Sequence, residues 1–213
     1  MLRQLSVRSP PLQKRAACGR LLFFGFWDNG NLVPVETEPG SLFLIGMMGA
    51  GKSTIGRLLA RALVFDFVDA DREIEARSGV AITTIFEVEG EDGFRRREAA
   101  MLDELTQRRG LVIATGGGAI LREENRRNLR SRGLVIYLQA SADEIARRTS
   151  HDKSRPLLQT ADPRARIVAL LAYRAPLYAE TAHLTFHSSM ASPKKLVRRI
   201  LESPELQSLR SSP

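Results

Sequence analysis

Cysteine is almost absent from the sequence: the chain of 213 residues contains one, Cys18. A single cysteine cannot form an internal disulfide and is too few for a zinc cluster, so we expect a reducing compartment rather than a disulfide-stabilised secreted domain. Long apolar runs are also missing, since the longest uncharged stretches are 21–27 and 41–51. Both are much shorter than the roughly 18 residues needed to cross a bilayer, so we expect neither a membrane-spanning helix nor a membrane partner.

Histidine is scarce as well, and the three that occur, His151, His183 and His187, show no metal-ligand spacing. The net charge is +8, and such an excess could serve nucleic acid, an acidic membrane surface or a small anionic substrate. Residues 147–155 are rich in basic side chains, but the stretch has no Phe, Tyr or Trp on which bases could stack. We therefore expect no nucleic-acid partner and interpret this stretch as a lid that closes over a triphosphate.

The two ends of the chain differ from its middle. Residues 1–40 contain four prolines and show no sustained apolar period, which predicts a loosely ordered N-terminal extension. Its first 27 residues are basic and free of acids, so an organelle transit peptide is the alternative to the cytoplasmic location that we expect. Residues 204–213 are predicted to be a polar tail, which leaves one domain over 41–203.

Short apolar runs alternate with helical patterns through the domain. The runs that have the length of strands are 42–45, 64–68, 111–114, 134–138 and 184–186. Their continuous apolar character indicates parallel strands covered on both faces, and we predict a doubly wound α/β sheet. Ser141 with Glu144, and Asp162 before Pro163, predict helix starts, while Gly79, Gly110 and Gly133 are predicted to end helices with positive φ.

Residues 46–53, GMMGAGKS, match the P-loop pattern and lie between the first strand and an amphipathic helix. The glycines of such a loop let backbone N–H groups approach phosphate oxygens. Lys52 supplies a positive charge for the terminal phosphates, and Ser53 supplies a magnesium ligand. The motif therefore predicts nucleotide triphosphate binding at the carboxyl edge of the sheet.

Asp69 and Asp71 follow the second predicted strand at that same edge. Because one residue separates them, their side chains can point to the same side of an extended chain. One carboxylate could hold hydrated magnesium while the other faces a substrate hydroxyl. The alternative is that Asp71 only caps the following helix and Asp69 is a solvated loop residue.

Two charged residues, Glu98 and Arg174, occupy positions where apolar residues are expected. Glu98 falls on the apolar stripe of a helix, and Arg95, three residues earlier, can pair with it. Arg174 ends a stripe of apolar residues at helical spacing, shortly before Pro176, which is predicted to break or kink the helix. Two convergent arginines suggest an acceptor with a carboxylate or phosphate. A surface ion pair for Arg95, and an Arg174 side chain that reaches water, are the alternatives.

Three consecutive glycines, Gly116, Gly117 and Gly118, follow the third predicted strand. Such a run is entropically costly, and it predicts close approach of the backbone to a ligand. A flexible connector is the alternative interpretation.

From about residue 41 to 201 the chain resembles the shikimate kinases. The motifs that carry the resemblance, in order, are GMMGAGKSTIGRLLA (46–60), FVDADREIE (67–75), IFEVEGEDGFRRRE (85–98), ATGGGAI (114–120), DKSRPLL (152–158) and YRAPLY (173–178). The P-loop alone is common to many kinases, whereas the combination is specific. The resemblance implies a five-stranded parallel sheet of the nucleoside monophosphate kinase type with a mobile lid, and transfer of the γ-phosphoryl of ATP to the 3-hydroxyl of shikimate, a step in aromatic amino-acid biosynthesis.

The resemblance also implies roles for individual residues. Lys52, Asp71 and Arg155 would be catalytic. The residues expected to bind ATP are Gly49, Ala50, Gly51, Lys52, Ser53, Thr54, Arg148 and Arg155. Those expected to bind shikimate are Asp71, Arg95, Gly116, Gly117, Gly118 and Arg174. Ser53 and Asp69 would hold one Mg²⁺ ion, the latter through water, and we expect a monomer. A gluconate kinase and a nucleic-acid-binding P-loop regulator remain the rival hypotheses.

Overall fold

The computed structural model describes residues 24–28, 31–35, 40–150, 160–188 and 192–211. It divides the chain into two units, with the boundary between Glu36 and Thr37. The first unit contains two antiparallel strands, β1 (Phe24–Asp28) and β2 (Asn31–Val35), with Phe24 opposite Val35. The sequence pattern does not predict these strands, and the assignment of residues 1–40 as an extension stays a prediction.

Five parallel strands form the sheet of the second unit. They are β3 (Ser41–Ile45), β4 (Asp66–Asp69), β5 (Leu111–Ala114), β6 (Gly133–Gln139) and β7 (Leu184–His187). Their order across the sheet is β4-β5-β3-β6-β7. Every residue of β3 and β5 is buried, as expected for parallel strands that are covered on both faces. The predicted five-stranded parallel sheet is confirmed.

The helices flank this sheet. They are α1 (Lys52–Leu63), α2 (Ala70–Ser78), α3 (Ile82–Thr106), α4 (Glu123–Arg132), α5 (Ala142–Thr149), α6 (Pro163–Thr181), α7 (Pro193–Leu201) and α8 (Pro204–Ser211). One group contains α1, which contacts α7, while another contains α3, α4 and α6. α8 lies in the segment that the sequence predicts only as a polar tail. Within the described part of the chain, no helix is both long enough and apolar enough to span a membrane.

Several local predictions are confirmed. Ser141 and Glu144 form the capping box of α5, and Asp162 caps α6 by accepting a hydrogen bond from the Ala165 N–H. Gly79 ends α2 with a φ of 72°. Gly110 has the predicted positive φ, 67°, but it does not end α3, whose C-cap is Gln107. The starts of α5 and α6 and the end of α2 depend on residues close in sequence, so sequence spacing alone can predict them.

Other local predictions are wrong. The second strand is not 64–68 but β4, because Val64 ends α1 in a left-handed conformation, with φ 59°. Gly133 has extended backbone and begins β6, so it is not a helix-ending glycine with positive φ. A Cβ at Gly133 would lie 2.4 Å from the Ser41 carbonyl oxygen, and close packing of β6 on β3 therefore explains this glycine. Pro176 does not break α6, which continues to Thr181.

The strand order determines where a ligand-binding crevice lies on the sheet. After β5 the chain passes over β3 and adds β6 on its other side. Loops at the carboxyl ends of neighbouring strands diverge at such a reversal and leave a crevice where ligands bind. The P-loop follows β3 directly, α2 follows β4 directly, and the glycine run follows β5.

Candidate active site

The P-loop connects β3 to α1, in the context that the sequence predicts. Gly51 lies at the N-terminus of α1 with φ 95°, a left-handed conformation that favours glycine. Lys52 is the first residue of α1, and its Nζ donates to the carbonyl oxygens of Gly46, at 2.7 Å, and Met47, at 3.0 Å. The ammonium group is thereby held within the loop, beside the helix N-terminus, where negative charge is stabilised.

Ser53 and Asp69 come together although they are 16 positions apart in the sequence. The Ser53 hydroxyl donates to Asp69 Oδ2 at 2.6 Å. The other carboxylate oxygen of Asp69 accepts from the Arg72 N–H at 3.5 Å and caps α2. Hydroxyl and carboxylate oxygens are the ligands that Mg²⁺ prefers, so this pair fits such an ion. Asp69, and not Asp71, is therefore the cap of α2.

Asp71 lies in the first turn of α2 rather than on an extended strand. Its carboxylate and that of Glu98 both approach the glycine run. A Cβ added to Gly116 would lie 2.4 Å from Glu98 Oε1 and 2.7 Å from Asp71 Oδ1. Gly116 thus leaves the space that these two carboxylates occupy, and the flexible-connector interpretation does not account for that fit.

Arg95 and Glu98 form a buried ion pair on α3. Arg95 Nη1 donates to Glu98 Oε2 at 2.7 Å, and Arg95 Nη2 donates to Glu91 Oε1 at 2.9 Å. Arg95 is 7% exposed and Glu98 is 1% exposed, so this is not the surface pair that we considered as an alternative. Burial raises the pKa of Glu98, while the nearby Arg95 guanidinium acts in the opposite direction. Asp71 and Arg174 also lie close enough to influence the Glu98 carboxylate.

Arg174 is 2% exposed, so its side chain does not extend into water. Its Nη1 donates to the Gly117 carbonyl oxygen at 3.3 Å. The Nε of Arg174, the Nε of Arg95 and Oε1 of Glu98 have no hydrogen-bond partner among the described residues. Because buried polar groups are usually paired, these three atoms are available to bind a polar ligand.

Arg148 approaches the P-loop from α5. Its Nη1 donates to the Gly49 carbonyl oxygen at 3.1 Å, and its Nη2 donates to the Ser188 carbonyl oxygen at 3.3 Å. Arg155, the predicted lid arginine, lies outside the described residues. His183 accepts a hydrogen bond from the Val135 N–H, and burial lowers its pKa, so it serves β6 rather than the site.

Most of the predicted site residues line one cavity of about 710 Å³. Those that line it are Gly49, Gly51, Lys52, Ser53, Thr54, Asp69, Asp71, Arg95, Gly116, Gly117, Gly118, Arg148 and Arg174. Ala50 does not line it and is fully buried. The cavity therefore joins a phosphate-binding loop to two buried arginines from α3 and α6.

Phe86 and Phe94 also line the cavity, and their ring centroids are 4.8 Å apart. The sequence pattern does not identify them as site residues, because Gly90 interrupts the helical period between them with φ 70° and ψ −178°. Their rings give the acceptor side of the cavity an apolar wall. The sequence connects these two aromatic residues with the site only in that both fall within the motif 85–98, which is similar to the shikimate kinases.

Comparisons with known proteins agree with this geometry. A family model described as shikimate kinase matches residues 48–205. A shikimate kinase of Bordetella avium is 58% identical over 166 residues, which are 78% of this chain and 78% of that relative. One of Nitrosospira multiformis is 54% identical over 169 residues, 79% of this chain and 87% of the relative.

A solved structure of a shikimate kinase from Acinetobacter baumannii in complex with shikimate is also similar. It matches with a TM-score of 0.77 and 46% identity, covering 83% of this chain and 96% of the other. The family match, the close relatives and the structural likeness extend over the same P-loop domain. The chain belongs to the shikimate kinase family and is a kinase.

Proposed function

We propose that this protein transfers the γ-phosphoryl group of ATP to the 3-hydroxyl of shikimate. The observation that carries the proposal is the presence of two buried arginines, Arg95 and Arg174, in the same cavity as Lys52. Arg95 already pairs with two glutamates of α3, whereas among the described residues the hydrogen bonds of Arg174 go only to neutral acceptors, Met47 and the Gly117 carbonyl oxygen. A buried guanidinium favours an anionic partner, and an arginine can bind a carboxylate through two parallel hydrogen bonds. Shikimate has one carboxylate and three hydroxyl groups, which suits this combination of charges.

The nucleotide side of the cavity consists of the P-loop and Arg148. Lys52 and the N-terminus of α1 stabilise negative charge on the terminal phosphates, and Arg148 lies against the nucleotide. Ser53 and Asp69 would hold one Mg²⁺ ion, because their oxygens already lie 2.6 Å apart. When bound, such an ion neutralises charge on the phosphate oxygens.

The acceptor side holds the reacting hydroxyl. Arg95 and Arg174 bind the carboxylate and the glycine run closes the wall, so that the 3-hydroxyl faces ATP. Its oxygen attacks the γ-phosphorus while the bond from that phosphorus to the β–γ bridging oxygen breaks, and the hydroxyl proton passes to the Asp71 carboxylate. Lys52 and the lid residue Arg155 would stabilise the charge on the transferring group. Catalysis is then chiefly positioning and electrostatic stabilisation.

Gly116→Ala tests the acceptor side. The added Cβ would collide with Glu98 and Asp71, at 2.4 and 2.7 Å. We expect kcat/KM for shikimate to fall about 10- to 100-fold, because small displacements of positioning groups are costly. The KM for ATP should change little, since the side chains that the added Cβ would meet within 3 Å, Glu98 and Asp71, lie on the acceptor side and not in the P-loop. Steady-state kinetics measures both constants, and an equal loss for both substrates would contradict this placement.

The proposed reaction is tested directly with the purified protein, ATP and Mg²⁺. ADP release is followed with shikimate, gluconate or no acceptor, and the phosphorylated product is identified by mass spectrometry. Release that depends on shikimate and yields shikimate 3-phosphate is expected. Turnover with gluconate alone would favour the related sugar-acid kinase. Salt-sensitive binding of DNA or RNA without any phosphorylated product would favour a regulator.

A further inference from the structure

The Gly117 carbonyl oxygen accepts hydrogen bonds from two side chains of α6. The Tyr178 hydroxyl donates to it at 2.5 Å, and Arg174 Nη1 donates to it at 3.3 Å. Arg174 and Tyr178 are four residues apart on one helix and therefore share a face. The bond from Tyr178 is short and the bond from Arg174 is long, so the tyrosine is the principal partner of this carbonyl.

Tyr178 is fixed by its surroundings. The residue is fully buried, and its ring stacks on that of Tyr137 from β6, with centroids 4.9 Å apart. Burial raises the pKa of the Tyr178 hydroxyl, which therefore keeps its proton and remains a donor at any working pH. Tyr178 does not line the cavity, so it can influence a ligand only through its neighbours.

The hydrogen bond from Tyr178 changes what the Gly117 carbonyl oxygen requires of Arg174. Gly117 is partly buried, so losing both donors to its carbonyl oxygen would cost free energy. If Arg174 were the only donor to this oxygen, its Nη1 would be held there, and the guanidinium could turn this nitrogen toward an acceptor only by breaking that bond. Because the Tyr178 hydroxyl satisfies the carbonyl, Arg174 can turn toward a ligand without leaving an unpaired oxygen behind.

We propose that Tyr178 is a positioning residue for the acceptor: its hydroxyl holds the Gly117 carbonyl and thereby frees Arg174 to bind the acceptor carboxylate. This inference deepens the proposed function and rests on it, because it assigns Arg174 to that carboxylate. Tyr178 lies outside the cavity but would affect acceptor affinity. It would do so through its hydrogen bond to the Gly117 carbonyl oxygen.

The test is Tyr178→Phe, which removes one oxygen and keeps the stacked ring. We expect the KM for shikimate to rise about tenfold, with the KM for ATP unchanged within about twofold. The matched control is Tyr173→Phe on the same helix, where the tyrosine is 68% exposed and the kinetic constants should stay as in the parent protein. A Tyr178→Phe variant that melts at a lower temperature but keeps the parent KM for shikimate would overturn the proposal.

A second acceptor separates a positioning role from a general loosening of the site. The methyl ester of shikimate keeps the hydroxyl groups but has no negative charge for Arg174 to bind. Its KM, or its Kd by calorimetry where turnover is slow, should differ by less than about twofold between the parent and Tyr178→Phe. A loss as large for the ester as for shikimate would show that Tyr178 does not act through Arg174.

Two further measures separate the loss of a hydrogen-bond donor from a loss of folding. The KM for shikimate of every variant is measured at low temperature with saturating ATP, which stabilises the folded state by mass action, and the KM for ATP is measured separately with saturating shikimate. Replacement of Tyr178 by 4-aminophenylalanine restores a donor, and it should return the KM for shikimate to near the parent value. A folded protein with this replacement that keeps the raised KM would contradict the role of the donor. If the parent protein does not phosphorylate shikimate at all, the proposed function fails first, and that result is distinct from a Tyr178→Phe variant with parent kinetics.

Discussion

Lys52→Met is expected to lower kcat by about 1,000-fold or more while the protein stays folded. Lys52 holds a positive charge within the P-loop, through hydrogen bonds to the Gly46 and Met47 carbonyl oxygens. Methionine keeps much of the aliphatic stem but has no charge to offer the transferring phosphoryl group. Rates under saturating ATP and shikimate measure the effect, and circular dichroism measures the fold.

The control for this change is Lys195→Met. Lys195 is exposed on α7, outside the residues that line the cavity, so its loss should leave kcat unchanged. Both variants remove one positive charge from a chain of net charge +8, which separates a local effect from a general one. A folded Lys52→Met variant with near-parent turnover would refute the assignment of 46–53 as the phosphate-binding loop.

Arg174→Leu is expected to raise the KM for shikimate about 100-fold and to leave the KM for ATP within about twofold. The guanidinium is buried, and a charge-assisted pair of hydrogen bonds to a carboxylate is among the stronger polar interactions in proteins. Leucine suits the buried position, and Tyr178 still donates to the Gly117 carbonyl, so we expect the fold to persist.

Arg166→Leu provides the comparison, since Arg166 lies on the same helix with its side chain exposed. Its kinetic constants should match those of the parent protein. Steady-state kinetics with each substrate varied in turn separates the two KM values. If Arg174→Leu impaired ATP and shikimate equally, Arg174 would not be specific to the acceptor, and the anionic subsite would have to be sought elsewhere.

Much of the fold could be predicted because it depends on local patterns. The P-loop was identifiable from eight consecutive residues and their flanking strand and helix. The burial of β3 and β5 follows from the apolar runs 42–45 and 111–114, and the capping box of α5 depends on two residues three apart. Each of these features is stabilised by neighbours in sequence, so sequence spacing carries the information.

The boundaries that were predicted wrongly depend on interactions that the residue type does not reveal. The apolar side chain of Val64 suggests a strand, yet its backbone is left-handed where α1 ends. Gly133 resembles a helix terminator, yet it is required because Ser41 of the adjacent strand approaches it. At Val64 the local C-cap hydrogen bond to the Ala60 carbonyl oxygen overrides the strand preference of valine, and at Gly133 tertiary contact decides the residue.

The site was only partly predictable for the same reason. The sequence identified Glu98 and Arg174 as charged residues on apolar stripes, and Arg95 as a possible partner of Glu98, because these conclusions need only local spacing. It left open whether these side chains were buried, and whether Asp69 or Asp71 caps α2. Phe86 and Tyr178 carried no comparable signal, because an aromatic residue at helical spacing is ordinary in a core.

By itself, then, the sequence determined the parallel sheet, the phosphate-binding loop and the unusual charges, since each depends on residue types at short, regular spacing. The tertiary structure alone decided that Arg95 and Arg174 line one cavity, and that Tyr178 and Arg174 share the Gly117 carbonyl 61 and 57 residues away. Contacts over such separations depend on how helices pack across the sheet. No local period encodes that packing, because it is the combined result of the whole buried core.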